Sequence, residues 1–296
     1  MFKGSIVALV TPMAADGSLD IPCLRSLVDW HIESGTSGIV VMGTTGESIN
    51  VDEDEYKLLI ETVVEHAMGR IKVIAGTGSA STSKTIQCTQ FAEYLGLDAC
   101  LIVTPYYNKP TQEGLYQHFK AVAESSSIPQ ILYNVPGRTA VDLLPETVAR
   151  LAEFDSIVGI KEATGSLERL HELMVIDSES FVLLSGDDPT ALQFIQQGGS
   201  GVISVTANVA PRQMSDMCRF ALAKENKKAD TINECLSDLH NNLFVEPNPT
   251  PVKYLLNKLG RIPNGIRLPL LPLSNQYHEE FELFADDLLC KSALSR

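Results

Sequence analysis

The stretch "GIVVMGTTGESINVDEDEYKLLIETVVEHAM", residues 38–68, decides the fold. It opens over 38–43 with a short apolar run rich in β-branched residues, which is typical of a strand buried on both faces. Over 52–68 the apolar residues recur at helical spacing behind an acidic first turn, and acidic side chains suit the positive end of a helix dipole. The stretch therefore predicts one buried strand followed by one amphipathic helix.

This strand–helix unit recurs along most of the chain. Apolar runs predict eight strands, over 5–12, 38–43, 71–78, 99–105, 130–136, 156–163, 181–188 and 201–208. Helical patterns follow them, over 20–33, 52–68, 81–95, 112–125, 144–153, 166–175, 189–197 and 211–224. Buried parallel strands covered by helices predict an α/β fold, a closed (β/α)₈ TIM barrel. An open doubly wound sheet is the alternative, although no strand-to-helix turn carries its G-x-G-x-x-G signature.

The rhythm changes after residue 224. Helical patterns continue over 225–243, 250–259 and 276–291, and the proline-rich pieces "EPNPTP" and "LPLLPL" separate them. We therefore predict a catalytic barrel over 1–224 and a helical C-terminal domain over 225–296.

Composition excludes several classes of partner. The 296 residues carry a formal net charge of −14, which repels nucleic acid phosphates and anionic lipid headgroups. The six cysteines include no C-x-x-C pair, as expected of a reduced intracellular protein. Pro12 ends the N-terminal apolar run after about six residues, whereas a signal core needs about 7–15. We expect a cytoplasmic protein that binds neither nucleic acid nor membranes.

A lysine interrupts the sixth predicted strand, in "SIVGIKEATGS" (156–166). Because side chains alternate along a strand, we expect Lys161 to share a face with Ile157 and Gly159, opposite to Val158. Active sites of TIM barrels lie at the C-terminal ends of the strands, and Lys161 stands at such an end. Gly159 is expected to leave room for the long side chain.

Lysine is the candidate nucleophile that remains after other chemistries are excluded. The histidines all fall in helical stretches, and the adjacent Asp187 and Asp188 point to opposite faces, so we expect no metal site. A serine hydrolase would need a G-x-S-x-G elbow, which the chain lacks. An apolar barrel interior favours a neutral amine, which can form a Schiff base with a ketone or aldehyde. The alternative is a lysine that only extends its ammonium group toward solvent at a strand end.

Other groups near the predicted strand ends suit the same chemistry. Tyr133 could transfer protons, "GTTGE" (43–47) offers hydroxyl and backbone N–H groups to a small carboxylate, and Arg138 could bind a carboxylate bidentately. Each also has a simpler interpretation: a core tyrosine, an ordinary turn and a solvated arginine.

The chain carries several motifs similar to those of the dihydrodipicolinate synthase (4-hydroxy-tetrahydrodipicolinate synthase) family, within the N-acetylneuraminate lyase superfamily of pyruvate-dependent class I aldolases. They are "GTTGES" (43–48), "TPYYNKP" (104–110), "YNVPGRT" (133–139), "GIKEATG" (159–165), "SGDD" (185–188) and "NPTPVK" (248–253). The similarity runs essentially from end to end of the chain.

The resemblance implies an activity. It implies condensation of pyruvate with L-aspartate-4-semialdehyde, the first committed step of diaminopimelate and lysine biosynthesis, without a metal or organic cofactor. It also implies a homotetramer built as a dimer of dimers. The alternatives are a related aldolase acting on N-acetylneuraminate or 2-keto-3-deoxygluconate, and a non-catalytic protein that binds a keto acid.

The resemblance also implies roles for individual residues at the catalytic centre. Lys161 forms the imine, and Tyr133, Thr44 and Tyr107 relay protons, with Tyr107 supplied across a subunit interface. Thr45 contacts the pyruvate carboxylate.

The remaining implied residues line the substrate site. Gly186 and Ile203 line it through their backbones, and Arg138 holds the carboxylate of the semialdehyde. Related sugar-acid aldolases usually lack an arginine in this loop.

The family's inhibitory lysine site is the part of the pattern from which this chain departs. The corresponding positions are Ser48, Ile49, Glu53, Tyr56, Ala80, Lys84 and Tyr106. Ser48 and Tyr106 fit the lysine-regulated pattern, whereas Glu53, Tyr56, Ala80 and Lys84 do not. Lys84 puts a cation where the ammonium group of an inhibitor would bind, so we predict weak or absent feedback by lysine.

Overall fold

The computed structural model describes residues 2–176 and 181–294, with side chains up to residue 290. Residues 1, 177–180 and 295–296, which belong to the two predicted domains, lie outside the described residues. The strands are β1 (Gly4–Ala8), β2 (Gly38–Val41), β3 (Lys72–Gly76), β4 (Ala99–Val103), β5 (Gln130–Asn134), β6 (Ile157–Glu162), β7 (Val182–Ser185) and β8 (Gly201–Ser204). Each pairs in parallel with the next, and β8 pairs with β1. The predicted TIM barrel is confirmed, and the open sheet is excluded.

Helices alternate with the strands and continue after the last one. They are α1 (Ile21–Glu33), α2 (Glu53–Ala67), α3 (Thr82–Tyr94), α4 (Gln112–Ser125), α5 (Pro136–Thr139), α6 (Pro145–Leu151), α7 (Leu167–Leu173), α8 (Ala191–Gln196), α9 (Pro211–Leu222), α10 (Asn226–Asn242), α11 (Thr250–Lys258) and α12 (His278–Leu294). Within residues 2–176 and 181–294, no helix is long and apolar enough to cross a membrane.

The opening stretch folds as its sequence predicts. Asp52 caps α2 by accepting a hydrogen bond from the Glu55 backbone N–H at 2.8 Å, and the Glu55 carboxylate accepts one from the Asp52 N–H at 3.2 Å. This reciprocal capping box satisfies two backbone donors at the start of the helix. The helix ends at Met68, which has a left-handed φ of 47°.

The predicted strands run too far at their C-terminal ends. The strand predicted over 130–136 ends at Asn134, and a one-turn helix, α5, begins at Pro136. The strand predicted over 201–208 ends at Ser204, before a 3₁₀ turn at Thr206–Asn208. The apolar pattern continues past the ladder because residues that directly follow the strands, such as Val135 and Val205, are also buried.

A β-bulge in β6 makes one prediction of side-chain direction wrong. The β5–β6 register shifts between Gln130 and Ile131, so that the partners of these two residues skip Val158. Ile157 packs in the outer layer between strands and helices, and Val158 packs against the inner layer. The alternation of side chains predicted the wrong face for the residues before the bulge, because one extra residue in the strand shifts every earlier side chain to the opposite face.

The core forms two layers. The inner layer, inside the barrel, contains Phe2, Ile6, Ala8, Val40, Ile74, Ala99, Leu101, Ile131, Tyr133, Val135, Val182, Leu184 and Ile203. The outer layer lies between strands and helices and extends into the C-terminal helices, where Leu236 and Leu255 share it with Met217 of α9. The domain boundary at 224/225 stays a prediction.

Candidate active site

Lys161 lies inside the barrel near the C-terminal end of β6. Its partner in the β5–β6 ladder is Tyr133, and its Nζ atom lies 4.2 Å from the centroid of the Tyr133 ring. Lys161 is only 6% exposed, and among the described residues no carboxylate forms an ion pair with it. A primary amine in this position can act as a nucleophile toward a carbonyl carbon.

Two glycines shape the space around this lysine. A Cβ atom on Gly186 would lie 2.8 Å from Lys161 Cε, so the backbone after β7 packs directly against the lysine side chain. A Cβ atom on Gly159 would instead lie 2.5 Å from the carbonyl oxygen of Val182. Gly159 therefore permits close approach of β7. The sequence predicted that Gly159 would leave room for the lysine side chain, but Gly186 provides that room.

Thr44 and Thr45 lie in the turn after β2. Thr45 is 2% exposed, and its Oγ1 accepts a hydrogen bond from Asn248 Nδ2 at 3.0 Å. Glu47 in the same turn has a left-handed φ of 57°, and its carboxylate lies 2.5 Å from Lys253 Nζ in a buried ion pair. The C-terminal segment around α11 thus holds the threonine turn in place.

Burial sets the electrostatics of that ion pair. Desolvation lowers the pKa of Lys253, and the charge of Glu47 and its hydrogen bond oppose that effect. Arg267 adds its backbone N–H to the other oxygen of Glu47 at 3.4 Å, and its guanidinium forms a bidentate ion pair with Glu55.

A cavity of about 280 Å³ opens beside the threonine turn. It is lined by Thr44, Glu47, Ser48, Ile49, Asn50, Gly78, Val103, Tyr106, Val135, Arg138, Thr139, Pro247, Asn248, Pro249, Pro269 and Leu270. Lys161 and Tyr133 are not part of this lining. Val103 and Val135 also pack in the inner barrel layer with Tyr133, so the cavity adjoins the interior that holds the lysine.

Arg138 lies in α5, the one-turn helix directly after β5. Its side chain is exposed, and no acidic side chain in the described part of the chain forms an ion pair with it. An arginine at the wall of a cavity without a protein partner is available for a ligand carboxylate.

Tyr107 lies apart from Lys161 within one chain. It is 94% exposed and has a left-handed φ of 74°, a conformation that costs energy for a residue with a side chain. Tyr133 and Ile203, by contrast, are buried in the same inner layer. A single chain therefore brings together Lys161 and Tyr133 but not Tyr107.

The dihydrodipicolinate synthetase family model matches residues 1–287. The chain belongs to this family. It is 60% identical over 279 residues to the 4-hydroxy-tetrahydrodipicolinate synthase of Methylococcus capsulatus, covering 94% of this chain and 96% of that protein. It is 59% identical to the protein of that name from Alcanivorax borkumensis, covering 93% of each. Both the family and the fold expected from the motifs are confirmed.

A solved structure in the family is similar throughout. The chloride-inhibited dihydrodipicolinate synthase from Acinetobacter baumannii, in complex with pyruvate, superposes with a TM-score of 0.95 at 50% identity. The match covers 97% of this chain and 99% of that one.

A second cavity, of about 260 Å³, is lined by most of the residues for which the motifs implied an inhibitory lysine site. Ser48, Ile49, Glu53, Tyr56, Lys84 and Tyr106 line it, together with neighbours from β3 and α3; Ala80 does not. Lys84 Nζ lies 3.0 Å from the Glu53 carboxylate, and Lys57 pairs with the other oxygen at 2.9 Å. Hydrogen bonds from Lys57 and Lys84 lower the pKa of Glu53 to about 2.

Sequence reasoning missed the contribution of the C-terminal segments to the site. Pro247, Asn248 and Pro249 line the cavity, and so do Pro269 and Leu270. The available signal was the pair of proline-rich pieces, since prolines fix the backbone of segments that must lie across a surface. Their distance in sequence from the strands prevented this assignment.

Proposed function

We propose that this chain condenses pyruvate with L-aspartate-4-semialdehyde through a lysine Schiff base, giving 4-hydroxy-tetrahydrodipicolinate, the first committed step of diaminopimelate and lysine biosynthesis. The observation that carries the proposal is the buried Lys161, which lies beside Tyr133 at the C-terminal end of a barrel strand and forms no ion pair with any described residue. The names of the family relatives support the same reaction.

The chemistry begins with attack of the Lys161 amine on the keto carbon of pyruvate, and loss of water leaves an imine. The imine withdraws electrons, so a methyl proton of pyruvate is released and an enamine forms. The enamine carbon bonds to the aldehyde carbon of the second substrate. Attack by that substrate's amino group on the imine carbon then closes the ring and releases Lys161. The imine is the electron sink, so this sequence requires neither a metal nor an organic cofactor.

Proton transfer is assigned to Tyr133, Thr44 and Tyr107. The position of the Tyr133 ring against Lys161 Nζ supports its role next to the imine nitrogen. Thr44 lines the adjoining cavity. Tyr107 is supplied by a neighbouring subunit, which is consistent with its exposure in the single chain.

Substrate contacts follow from the same layout. Thr45 and the backbones of Gly186 and Ile203 hold pyruvate, and Arg138 binds the carboxylate of the semialdehyde. The exposure of Arg138, which forms no ion pair with a described residue, supports this assignment.

The resemblance to the family supports a homotetramer, a dimer of dimers, in the cytoplasm. Activity would then require at least the dimer, because Tyr107 would complete the site of its neighbour. The substrates, pyruvate and aspartate semialdehyde, are the small-molecule partners.

Feedback by lysine is weak or absent. Lys84 already forms an ion pair with the Glu53 carboxylate. The ammonium group of a bound lysine would therefore be repelled by Lys84 and would find the charge of Glu53 already compensated. Strong inhibition by lysine below millimolar concentration would refute this proposal.

A direct comparison of substrates tests the reaction. The purified chain is assayed with pyruvate plus aspartate semialdehyde, and separately for cleavage of N-acetylneuraminate and of 2-keto-3-deoxygluconate. We expect turnover only in the first assay. Faster cleavage of either sugar acid would favour the aldolase alternative, and no turnover in any assay would favour a non-catalytic keto acid-binding protein.

A further inference from the structure

A buried hydrogen-bond cluster lies on the outer face of the two strands that carry Tyr133 and Lys161. Asn134 pairs with Glu162 in the ladder, one residue after the pair Tyr133 and Lys161. Because side chains alternate between faces, Asn134 and Glu162 point away from the barrel interior. They are 0% and 2% exposed, respectively. The cluster is therefore outside the candidate site but shares its strands.

The Asn134 side chain joins three separate segments. Its Nδ2 donates hydrogen bonds to Asp142 Oδ1 at 2.7 Å and to Glu162 Oε2 at 3.0 Å. Its Oδ1 accepts a hydrogen bond from the Leu143 backbone N–H at 3.0 Å. An amide is suited to this position because it offers two donors toward the carboxylates and an acceptor toward the backbone.

Arg169 of α7 completes the cluster. Its guanidinium donates to both oxygens of Asp142, at 2.9 and 2.8 Å, and lies 3.7 Å from Glu162. Hydrogen bonds from Arg169 hold the pKa of Asp142 below its usual value, whereas burial raises the pKa of Glu162. Bidentate pairing of this kind fixes orientation as well as charge.

The cluster closes the base of the loop that carries Arg138. Residues 135–141 leave β5 after Asn134 and return at Asp142, and Arg138 lies midway between these two ends. Gln112 of α4 holds the returning chain from the other side, because its Nε2 donates to the Asp142 carbonyl oxygen at 2.7 Å. Buried and partly buried contacts therefore hold both ends of the loop that carries the exposed arginine.

We propose that Asn134, Asp142 and Arg169 are positioning residues for the Arg138 loop, and that they set the affinity of the enzyme for the carboxylate of its second substrate. The inference rests on the proposed role of Arg138 in binding the semialdehyde. It adds residues that touch neither substrate and act only through the loop.

Replacement of Asp142 by Asn tests the link. An asparagine there keeps one acceptor but turns its NH₂ group toward the Arg169 donors, so the bidentate pair is lost. We expect the KM for aspartate semialdehyde to rise about 5- to 20-fold, in line with losing a charge-assisted hydrogen bond. The KM for pyruvate, and the rate at which borohydride traps the pyruvate imine, stay within about twofold of wild type.

Glu172→Gln is the matched control. Glu172 also pairs with Arg169, through Nε at 3.0 Å, but among the described residues it forms no hydrogen bond with Asn134, Asp142 or Glu162, and its side chain is half exposed. We expect both KM values of this variant to match those of the wild type. If it raises the KM for the semialdehyde as Asp142→Asn does, Arg169 acts through the surface of α7 and the proposal is wrong.

A double mutant separates positioning from a general loss of stability. In an Arg138→Ala background, Asp142→Asn should have no further effect on the KM for the semialdehyde, because the residue it positions is gone. An additive effect would overturn the proposal, as would unchanged KM values in the single mutant. Arg169→Lys keeps the charge but loses the bidentate geometry, and it replaces Asp142→Asn if that variant does not fold; unchanged KM values in it would likewise overturn the proposal.

Borohydride trapping of pyruvate on the wild-type enzyme shows whether a negative result counts against the proposed function or only against the positioning role. If wild type forms no borohydride adduct with pyruvate, the proposed function fails. If the adduct forms and Asp142→Asn leaves the KM for the semialdehyde unchanged, only the positioning inference fails.

Discussion

Replacing Gly186 by alanine tests whether the position of the Lys161 side chain controls imine formation. The added Cβ atom would lie 2.8 Å from Lys161 Cε, 3.1 Å from Lys161 Cγ and 2.7 Å from the Cβ atom of Ala163. Carbon atoms prefer separations of about 3.5–4.0 Å, so the end of the lysine must move by about 1 Å. The flexible end of the lysine can move, but the Cβ atom of Ala163 is fixed to its backbone, so the chain around residue 186 must shift as well.

The expected cost of Gly186→Ala falls mainly on catalysis. Moving a reacting group by about 1 Å can slow a reaction on the order of 100-fold. Crowding of the site is expected to cost about 1–3 kcal/mol of unfolding free energy. We therefore expect the variant to fold but to form the pyruvate imine about 10- to 100-fold more slowly.

The assay measures the rate of inactivation by borohydride at fixed pyruvate concentration, together with kcat/KM. Gly137→Ala is the control, because a Cβ atom there meets nothing within 4 Å. We expect Gly137→Ala to react at the wild-type rate. A folded Gly186→Ala variant that traps pyruvate as fast as wild type would refute the reasoning.

Further predictions concern the subunit interface, the buried ion pair and pH. Co-expression of inactive Tyr107→Phe and Lys161→Ala subunits should restore part of the activity, because a mixed dimer contains one complete site; no recovery at all would contradict a Tyr107 supplied in trans. Lys253→Met leaves Glu47 buried without its cation, so chemical denaturation should show a loss of about 3–5 kcal/mol, and a loss below about 1 kcal/mol would show that the pair is dispensable. Burial lowers the pKa of His31 to about 3, whereas an unfolded histidine titrates near its ordinary value of 6.5. Below pH 6.5 the unfolded chain therefore binds a proton at His31 that the folded chain does not bind. The stability that neutral His31 contributes is complete at neutral pH and should fall by about 2 kcal/mol at pH 5. A His31→Gln variant that loses stability equally steeply would contradict this.

The barrel could be predicted because its signal is local and repeated. The run 38–68 shows a strand, a capped helix and a turn between them, and the same unit recurs around the closed sheet. Helix α2 begins within one residue of its predicted start because Asp52 and Glu55 form a capping box that is visible in sequence. Strand ends were less accurate, since buried loop residues such as Val135 continue the apolar pattern beyond the ladder.

The side-chain placements that the sequence predicted match the structure at some residues and not at others, for physical reasons that differ between residues. Lys161 follows the bulge, so side-chain alternation correctly places it inside the barrel. Ile157 precedes the bulge and was assigned to the wrong face, because a bulge depends on pairing with the neighbouring strand and cannot be read from one strand alone. The contacts of Asn134 with Asp142 and of Lys253 with Glu47 depend on how loops return, which no local pattern encodes. The roles assigned to the site residues remain predictions.

The most direct test of the account is identification of the residue that binds pyruvate covalently. The wild-type protein is incubated with pyruvate and borohydride, digested, and its peptides are measured by mass spectrometry, with Lys161→Arg as the control. The account predicts a reduced pyruvate adduct on the peptide that contains Lys161, and no adduct in the variant. An adduct on another lysine, or full turnover by Lys161→Arg, would contradict it.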